Sequence, residues 1–146
     1  LKCNAITDVD VIEALYSASQ AGVQIQLIVR GICCLIPKRP GLSDNITVRS
    51  ILGRFLEHSR LYIFSNGGNH KIYIGSSDLM VRNLKRRVEI LVPILNHASK
   101  HKILNELIPA YLNDTCRTRL MTSDGNYTRP GERDGIDVQQ LMMTAK

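Results

Sequence analysis

The residues best suited to chemistry are a histidine and a group of arginines. His58 and Arg60 lie two apart, so in an extended segment they share one face. Beyond a glycine-rich turn the chain runs Gly75-Ser76-Ser77-Asp78, which offers hydroxyls and amide N–H groups to an oxyanion. Arg82 and Arg87 add positive charge just after it. Histidine serves as nucleophile or proton carrier near neutral pH. Arginines around it stabilise charge on a transferring phosphoryl group. Taken alone, His58 also reads as a surface imidazole beside Glu57; the downstream segment weighs against that. A second candidate is Arg30, which leaves an apolar run and is followed by Gly31. The carboxyl edge of a parallel strand is where open α/β sheets bind ligands. Its structural alternative is an ion pair with Asp44 or Glu57.

Other candidates are weaker. His97 and His101 have i, i+4 spacing, which could place both on one helix face for a metal, but no third ligand is evident. They read as solvated residues at a helix start, and no metal site is expected. Lys2 and Asn4 alternate along a strand and could reach the site, or could simply belong to a strand edge. There is no Walker loop and no dinucleotide G-x-G-x-x-G.

The elements that must hold these residues follow from periodicity. Residues 1–6 read as a strand end. Asp8 is a good N-cap, and an apolar stripe of Val11, Ile12, Leu15 and Ala18 predicts a helix ended by Gly22. Residues 23–29 (VQIQLIV) alternate and then become fully apolar, as a central strand does. Strand, helix, strand makes a βαβ unit with a parallel pair. A Pro- and Gly-rich loop covers 37–45, and 46–52 read as a short strand or turn. Residues 61–64 and 71–74 read as an antiparallel pair around Asn66-Gly67-Gly68-Asn69. Further strands are expected over 87–92 and 117–121. An amphipathic helix is expected over 98–112 despite Pro109. From Thr122 the chain reads as a loose tail, or as a short helix near 138–143. The fold class expected is α/β, a mixed β-sheet flanked by helices.

Composition agrees with one globular domain: 146 residues, 44% apolar, 22% charged, mean hydropathy −0.07. Disorder, collagen and coiled coil are excluded, and no apolar run approaches the ~18 residues of a membrane span. The net charge is +6, with 12 arginines against 7 lysines. Arginine presents a flat fork that grips phosphate in two places, so a polyanionic partner competes with a merely solvated basic surface. Cys3, Cys33, Cys34 and Cys116 include no C-x-x-C pair. They read as buried free thiols of a reducing compartment, and a cytoplasmic location is expected. The chain opens on Leu1 and mid-pattern, so a fragment of a longer protein is expected.

His58-x-Arg60 with Gly75-Ser76-Ser77-Asp78 resembles the phospholipase D superfamily, whose motif runs H-x-K, then an Asp, then G-S-x-N. Here Arg60 replaces the lysine, Asp78 replaces the asparagine, and the intermediate Asp is missing. These departures argue against a working phosphodiesterase. A narrower resemblance rests on residues 26–35 (QLIVRGICCL), 40–46 (PGLSDNI), 48–68 (VRSILGRFLEHSRLYIFSNGG) and 72–94 (IYIGSSDLMVRNLKRRVEILVPI). With Lys2-Cys3-Asn4, Tyr111-Leu112 and Asp124-Gly125-Asn126-Tyr127, these strings are similar to the C-terminal domain of the long-chain polyphosphate kinases. The likeness covers 1–129 as the domain and leaves 130–146 as a tail.

That resemblance implies a phospholipase D-like fold and one half of a kinase active site. The family moves the terminal phosphate of ATP reversibly onto polyphosphate, through a phosphohistidine and with Mg²⁺. Two similar C-terminal domains face each other, and the phosphorylated histidine is expected in the preceding domain, outside this chain. His58 matches the second histidine, acting as acid/base or holding the transferring phosphate. Arg30 matches a phosphate-binding arginine of the nucleotide site. Arg60, Arg82 and Arg87 fall where polyphosphate is expected to pass. The Mg²⁺ ligands are expected outside this chain. The resemblance further implies ATP/ADP and polyphosphate as partners, the preceding domains of the same chain, a homo-oligomer, no nucleic acid, and an optional membrane association. The alternatives are a phospholipase D-like phosphodiesterase or nuclease subunit and a non-catalytic polyanion-binding module. The isolated chain is expected to be inactive.

Overall fold

Short runs rich in Ile, Val and Leu form the strands of a single mixed sheet. They are β1 (Lys2–Cys3), β2 (Ile25–Val29), β3 (Ile46–Ile51), β4 (Arg60–Phe64), β5 (Lys71–Gly75), β6 (Leu91–Pro93), β7 (Thr118–Met121) and β8 (Tyr127–Thr128). The computed structural model describes residues 1–131 and 135–144. Among these the strand order is β6-β5-β4-β1-β2-β3-β7-β8. The central β1, β2 and β3 are parallel; every other neighbour is antiparallel.

Helix α1 (Val9–Gln20) is the crossover between β1 and β2. Asp8 caps it by accepting the Val11 N–H at 3.2 Å, and Gly22, at φ +89°, turns the chain back toward the sheet. The inward stripe Ile12, Leu15, Tyr16 and Ala18 packs on Leu27, Val29, Ile46 and Val48. Ile28 points to the opposite face, where it meets Ile51, Ala110 and Val138. With helices on both faces, β2 must be apolar at successive positions. Each such side chain contributes ~1.5–3 kcal/mol on burial.

Three expectations are corrected. The strand expected over 87–92 is only Leu91–Pro93, and the segment before it forms a short helix, α2 (Val81–Arg86). The apolar residues there do not report burial: Val88 is 99% exposed and Ile90 63%. The helix around Pro109 is not regular. It runs as α3 (His97–Lys102), a wide π turn (Ile103–Leu107) and α4 (Ile108–Leu112), with the Ile108 N–H bonded to the Ile103 carbonyl five residues back. A proline lacks an N–H and crowds the carbonyl four residues earlier, and the widened turn just before it makes room. The cysteines are not uniformly buried: Cys3 is, Cys33 and Cys116 are half-buried, and Cys34 is exposed. Burial pushes the Cys3 thiol up to about 12 and the Cys33 thiol to about 11, so neither is a ready nucleophile.

The segment expected as a tail lies partly outside the described residues. Its described part includes α5 (Val138–Thr144), with Val138 and Gln139 buried. No helix among the described residues is long and apolar enough to cross a membrane.

Candidate functional site

Strand register brings the site together. β1 lies between β2 and β4, pairing Cys3 with Val29 and Lys2 with Leu61. One step further, Asn4 comes beside Arg30, with the Gly31 N–H bonded to the Asn4 carbonyl at 2.9 Å. Across the β4–β5 ladder Arg60 pairs with Gly75, which sets Ser76, Ser77 and Asp78 against the histidine segment. The result is an open cleft of about 460 Å³ at the carboxyl end of β1 and β2. It is lined by Asn4, Arg30, His58, Arg60, Asp78 and Glu89, with Ser76, Asn83, Arg82 and Arg87 at its sides.

At its floor is a buried carboxylate, Asp78, 4% exposed. Asn4 gives it a backbone N–H at 2.7 Å and a side-chain N–H at 2.9 Å. Arg60 grips it in two places, Nε at 3.2 Å and a terminal nitrogen at 3.0 Å. Burial pushes the Asp78 carboxyl up, but Arg60 and Asn4 together outweigh it and hold the group below the usual carboxylate range. The other terminal nitrogen of Arg60 lies 3.1 Å from His58 Nδ1, 3.3 Å from His58 Nε2 and 3.0 Å from the His58 carbonyl oxygen. A guanidinium only donates, so whichever ring nitrogen it engages accepts.

Arg30 gives its Nε to Asn4 Oδ1 at 2.5 Å. Its terminal nitrogens make no hydrogen bond among the described residues, and the expected alternative of an ion pair with Asp44 or Glu57 is not formed. The second cleft carboxylate, Glu89, accepts from the Ser76 hydroxyl and, at 2.6 Å, from Asn83 Nδ2. These two bonds hold it below the usual range. Asn83 is buried and its Oδ1 has no partner. Arg82 and Arg87 are exposed at the rim.

The histidine segment is anchored from behind. Glu57 accepts Lys2 Nζ at 3.2 Å, the Tyr111 hydroxyl at 2.9 Å and Gln139 Nε2 at 2.8 Å. Gln139 also bonds the Phe55 N–H and carbonyl, at 2.9 and 2.8 Å. Lys2 bonds the Ser59 hydroxyl at 2.8 Å. His58 itself is exposed.

Arg30, His58, Arg60, Arg82 and Arg87, singled out from sequence, therefore meet at one cleft. Asn4 reaches it as well; Lys2 turns instead to Glu57. His97 and His101 stand away from the cleft on the exposed helix α3, and no cluster of three metal-ligating side chains occurs among the described residues. Sequence reasoning missed Glu57, Tyr111 and Gln139 as a group. Their separations of 54 and 82 residues leave no local signal.

Fold and site define an α/β domain of phospholipase D-like architecture with an arginine-lined cleft. The family model for polyphosphate kinase C-terminal domain 2 matches residues 1–140, and the chain belongs to that family. It is 55% identical over 134 residues to a polyphosphate kinase of Erythrobacter litoralis, covering 88% of this chain and 19% of that protein. It is 50% identical over 145 residues to one of Burkholderia vietnamiensis, covering 99% and 21%. A crystal structure of polyphosphate kinase from Porphyromonas gingivalis superposes with a TM-score of 0.92 at 39% identity, over 97% of this chain and 22% of that one. The chain spans about a fifth of the length of the curated relatives it matches.

Proposed function

We propose that this chain supplies one half of a polyphosphate kinase active site, which transfers the terminal phosphate of ATP reversibly to polyphosphate through a phosphohistidine on the preceding domain. The observation that carries the reading is the convergence of His58 with Arg30, Arg82 and Arg87 on a cleft whose two carboxylates are already committed internally. Such a cleft presents positive charge and unused N–H donors to an anion. The free fork of Arg30 binds phosphate oxygens in two places. Arg82 and Arg87 draw the polyanion along the rim. His58 moves a proton at the leaving or attacking phosphate oxygen, or holds the transferring group.

Among the described residues, Mg²⁺, which the family implies, finds no fitting group of ligands. Asp78 and Glu89 direct their oxygens to Arg60, Asn4, Ser76 and Asn83, and no third carboxylate lines the cleft among the described residues. No step here runs through it.

The test compares the full-length protein, its His58→Ala variant and the isolated 146-residue chain in ATP-dependent polyphosphate synthesis. His58→Ala should lower kcat by ~10²–10⁴-fold with an unchanged melting temperature. The isolated chain should be inactive. Near-normal turnover by the variant, or by the chain alone, would refute the reading.

A further inference from the structure

The Asp78 carboxylate is buried at the cleft floor and saturated by two neighbours, and each neighbour touches one of the cleft's principal side chains. Asn4 commits both its N–H donors to Asp78, which fixes the orientation of its amide. The amide oxygen is left facing Arg30, where it accepts the Nε hydrogen. With Nε satisfied from behind, the Arg30 guanidinium is oriented with its two terminal nitrogens available to the cleft. On the other side Arg60 commits Nε and one terminal nitrogen to Asp78. A guanidinium is planar and rigid, so the third nitrogen has one place to go. That place is against the His58 ring and the His58 carbonyl.

We propose that Asp78 is the positioning residue of this cleft: through Asn4 it sets the Arg30 fork, and through Arg60 it sets the His58 ring. The inference rests on the phosphotransfer reading for its kinetic consequences, although the two arms can be measured without it. Asp78 touches no substrate in this scheme. Arg60 is accordingly a positioning residue and not a ligand of the polyanion, because two of its three nitrogens are spent on Asp78 and the third on His58.

The chemistry of the group explains why it is a carboxylate. An asparagine at this position would offer one acceptor oxygen with two lone pairs, against the carboxylate's two oxygens with about four, and would turn two donors toward Arg60 or Asn4. The Asn4 amide would then be free to rotate, and Arg60 would keep an uncompensated charge. A charged, four-acceptor group is what allows one side chain to hold a guanidinium and an amide together.

Two conservative variants separate the arms. Asn4→Ala removes the Arg30 anchor while the Asn4 backbone N–H still bonds Asp78. Arg60→Lys keeps the charge and a bond to Asp78 but lacks the third nitrogen that reaches His58. In the full-length protein, Asn4→Ala should raise KM for ATP about tenfold with kcat little changed, the signature of lost uniform binding. Arg60→Lys should lower kcat by ~10²-fold with KM little changed. Asp78→Asn should do both.

The same arms are read on the 146-residue chain without turnover. Tripolyphosphate titration should show about tenfold weaker binding for Asn4→Ala and unchanged binding for Arg60→Lys. The ¹⁵N shifts of the His58 ring should change in Arg60→Lys alone, because the donor beside the ring is lost. If the full-length wild type makes no polyphosphate while these shifts and affinities separate as stated, the kinase reading fails and the positioning role stands. If both variants change affinity and ring shifts alike, or neither changes anything, the positioning role is wrong. Should Asp78→Asn fail to fold, the two single-arm variants still decide.

Discussion

Replacing Glu57 by glutamine would remove one charge and almost no volume from behind the histidine segment. Lys2, 2% exposed, would then keep an ammonium without a counter-ion. It would retain the Ser59 hydroxyl at 2.8 Å and the Tyr111 ring, whose centroid is 5.0 Å away. Removing one partner of a buried pair costs about 3–5 kcal/mol. The lower end applies here, because those two contacts remain. At about 3 °C per kcal/mol for a chain of this size, the melting temperature should fall by roughly 10 °C at pH 7. The pH dependence is more specific than the size. Burial lowers the Lys2 ammonium below the ordinary lysine value, and Glu57 opposes this only in part. The native state therefore binds fewer protons than the unfolded chain between the two values, and stability rises with pH through that window. Removing Glu57 takes away the opposing contribution and extends the window downward. The gap between wild type and Glu57→Gln should consequently narrow from pH 7 to pH 10. Lys2→Met in the Glu57→Gln background should restore most of the lost stability, since no charge is then buried. Thermal unfolding of the 146-residue chain followed by circular dichroism measures all three. Equal melting temperatures at pH 7, or a gap that does not narrow by pH 10, would refute the account.

Three further outcomes follow from the same geometry. Asp78 is held below its ordinary value, so its contribution is fully present above the unfolded pKa near ~3.9 and is lost as pH falls through the folded value; urea midpoints between pH 2 and 5 should show this loss in wild type and lack it in Asp78→Asn. Arg30→Lys keeps the charge and loses the fork, so tripolyphosphate affinity should drop about tenfold at low and moderate salt alike, whereas a diffuse basic field would leave it unchanged. A Cβ at Gly75 would run into the Ile90 backbone carbonyl, so Gly75→Ala should displace β6 from β5 and cost about 1–3 kcal/mol, read as a lower denaturant midpoint with faster amide exchange at Ile74.

Much of the cleft was legible before any coordinates. His58, Arg60 and the Gly75-Ser76-Ser77-Asp78 turn are close in sequence, and one hairpin suffices to bring them together. Arg30 was legible because a βαβ unit has a predictable ligand edge. The 87–92 segment was misread because an apolar run reports a surface to be covered, not a ladder partner, and in this chain Val88 and Ile90 face outward.

What the sequence by itself determined is the set of reactive groups and the local elements that carry them. Asp8 and Gly22 bound the first helix, and the apolar run of β2 requires a sheet covered on both faces. These are effects of range one helical turn or one strand, and they are written in neighbouring residues. Only the tertiary structure decided what each polar group is for. Asp78 reads in sequence as a motif position and is in space the shared anchor of Asn4 and Arg60; Glu57 reads as a partner for Arg30 and in space holds Lys2, Tyr111 and Gln139. The reason is that a carboxylate has a few lone pairs, and whichever donors reach them first remove it from other work. Which donors arrive is set by the order of strands in the sheet. That order comes from burying both faces of β2 at once, with β1 between β2 and β4, a condition on the whole chain and not on any stretch of it.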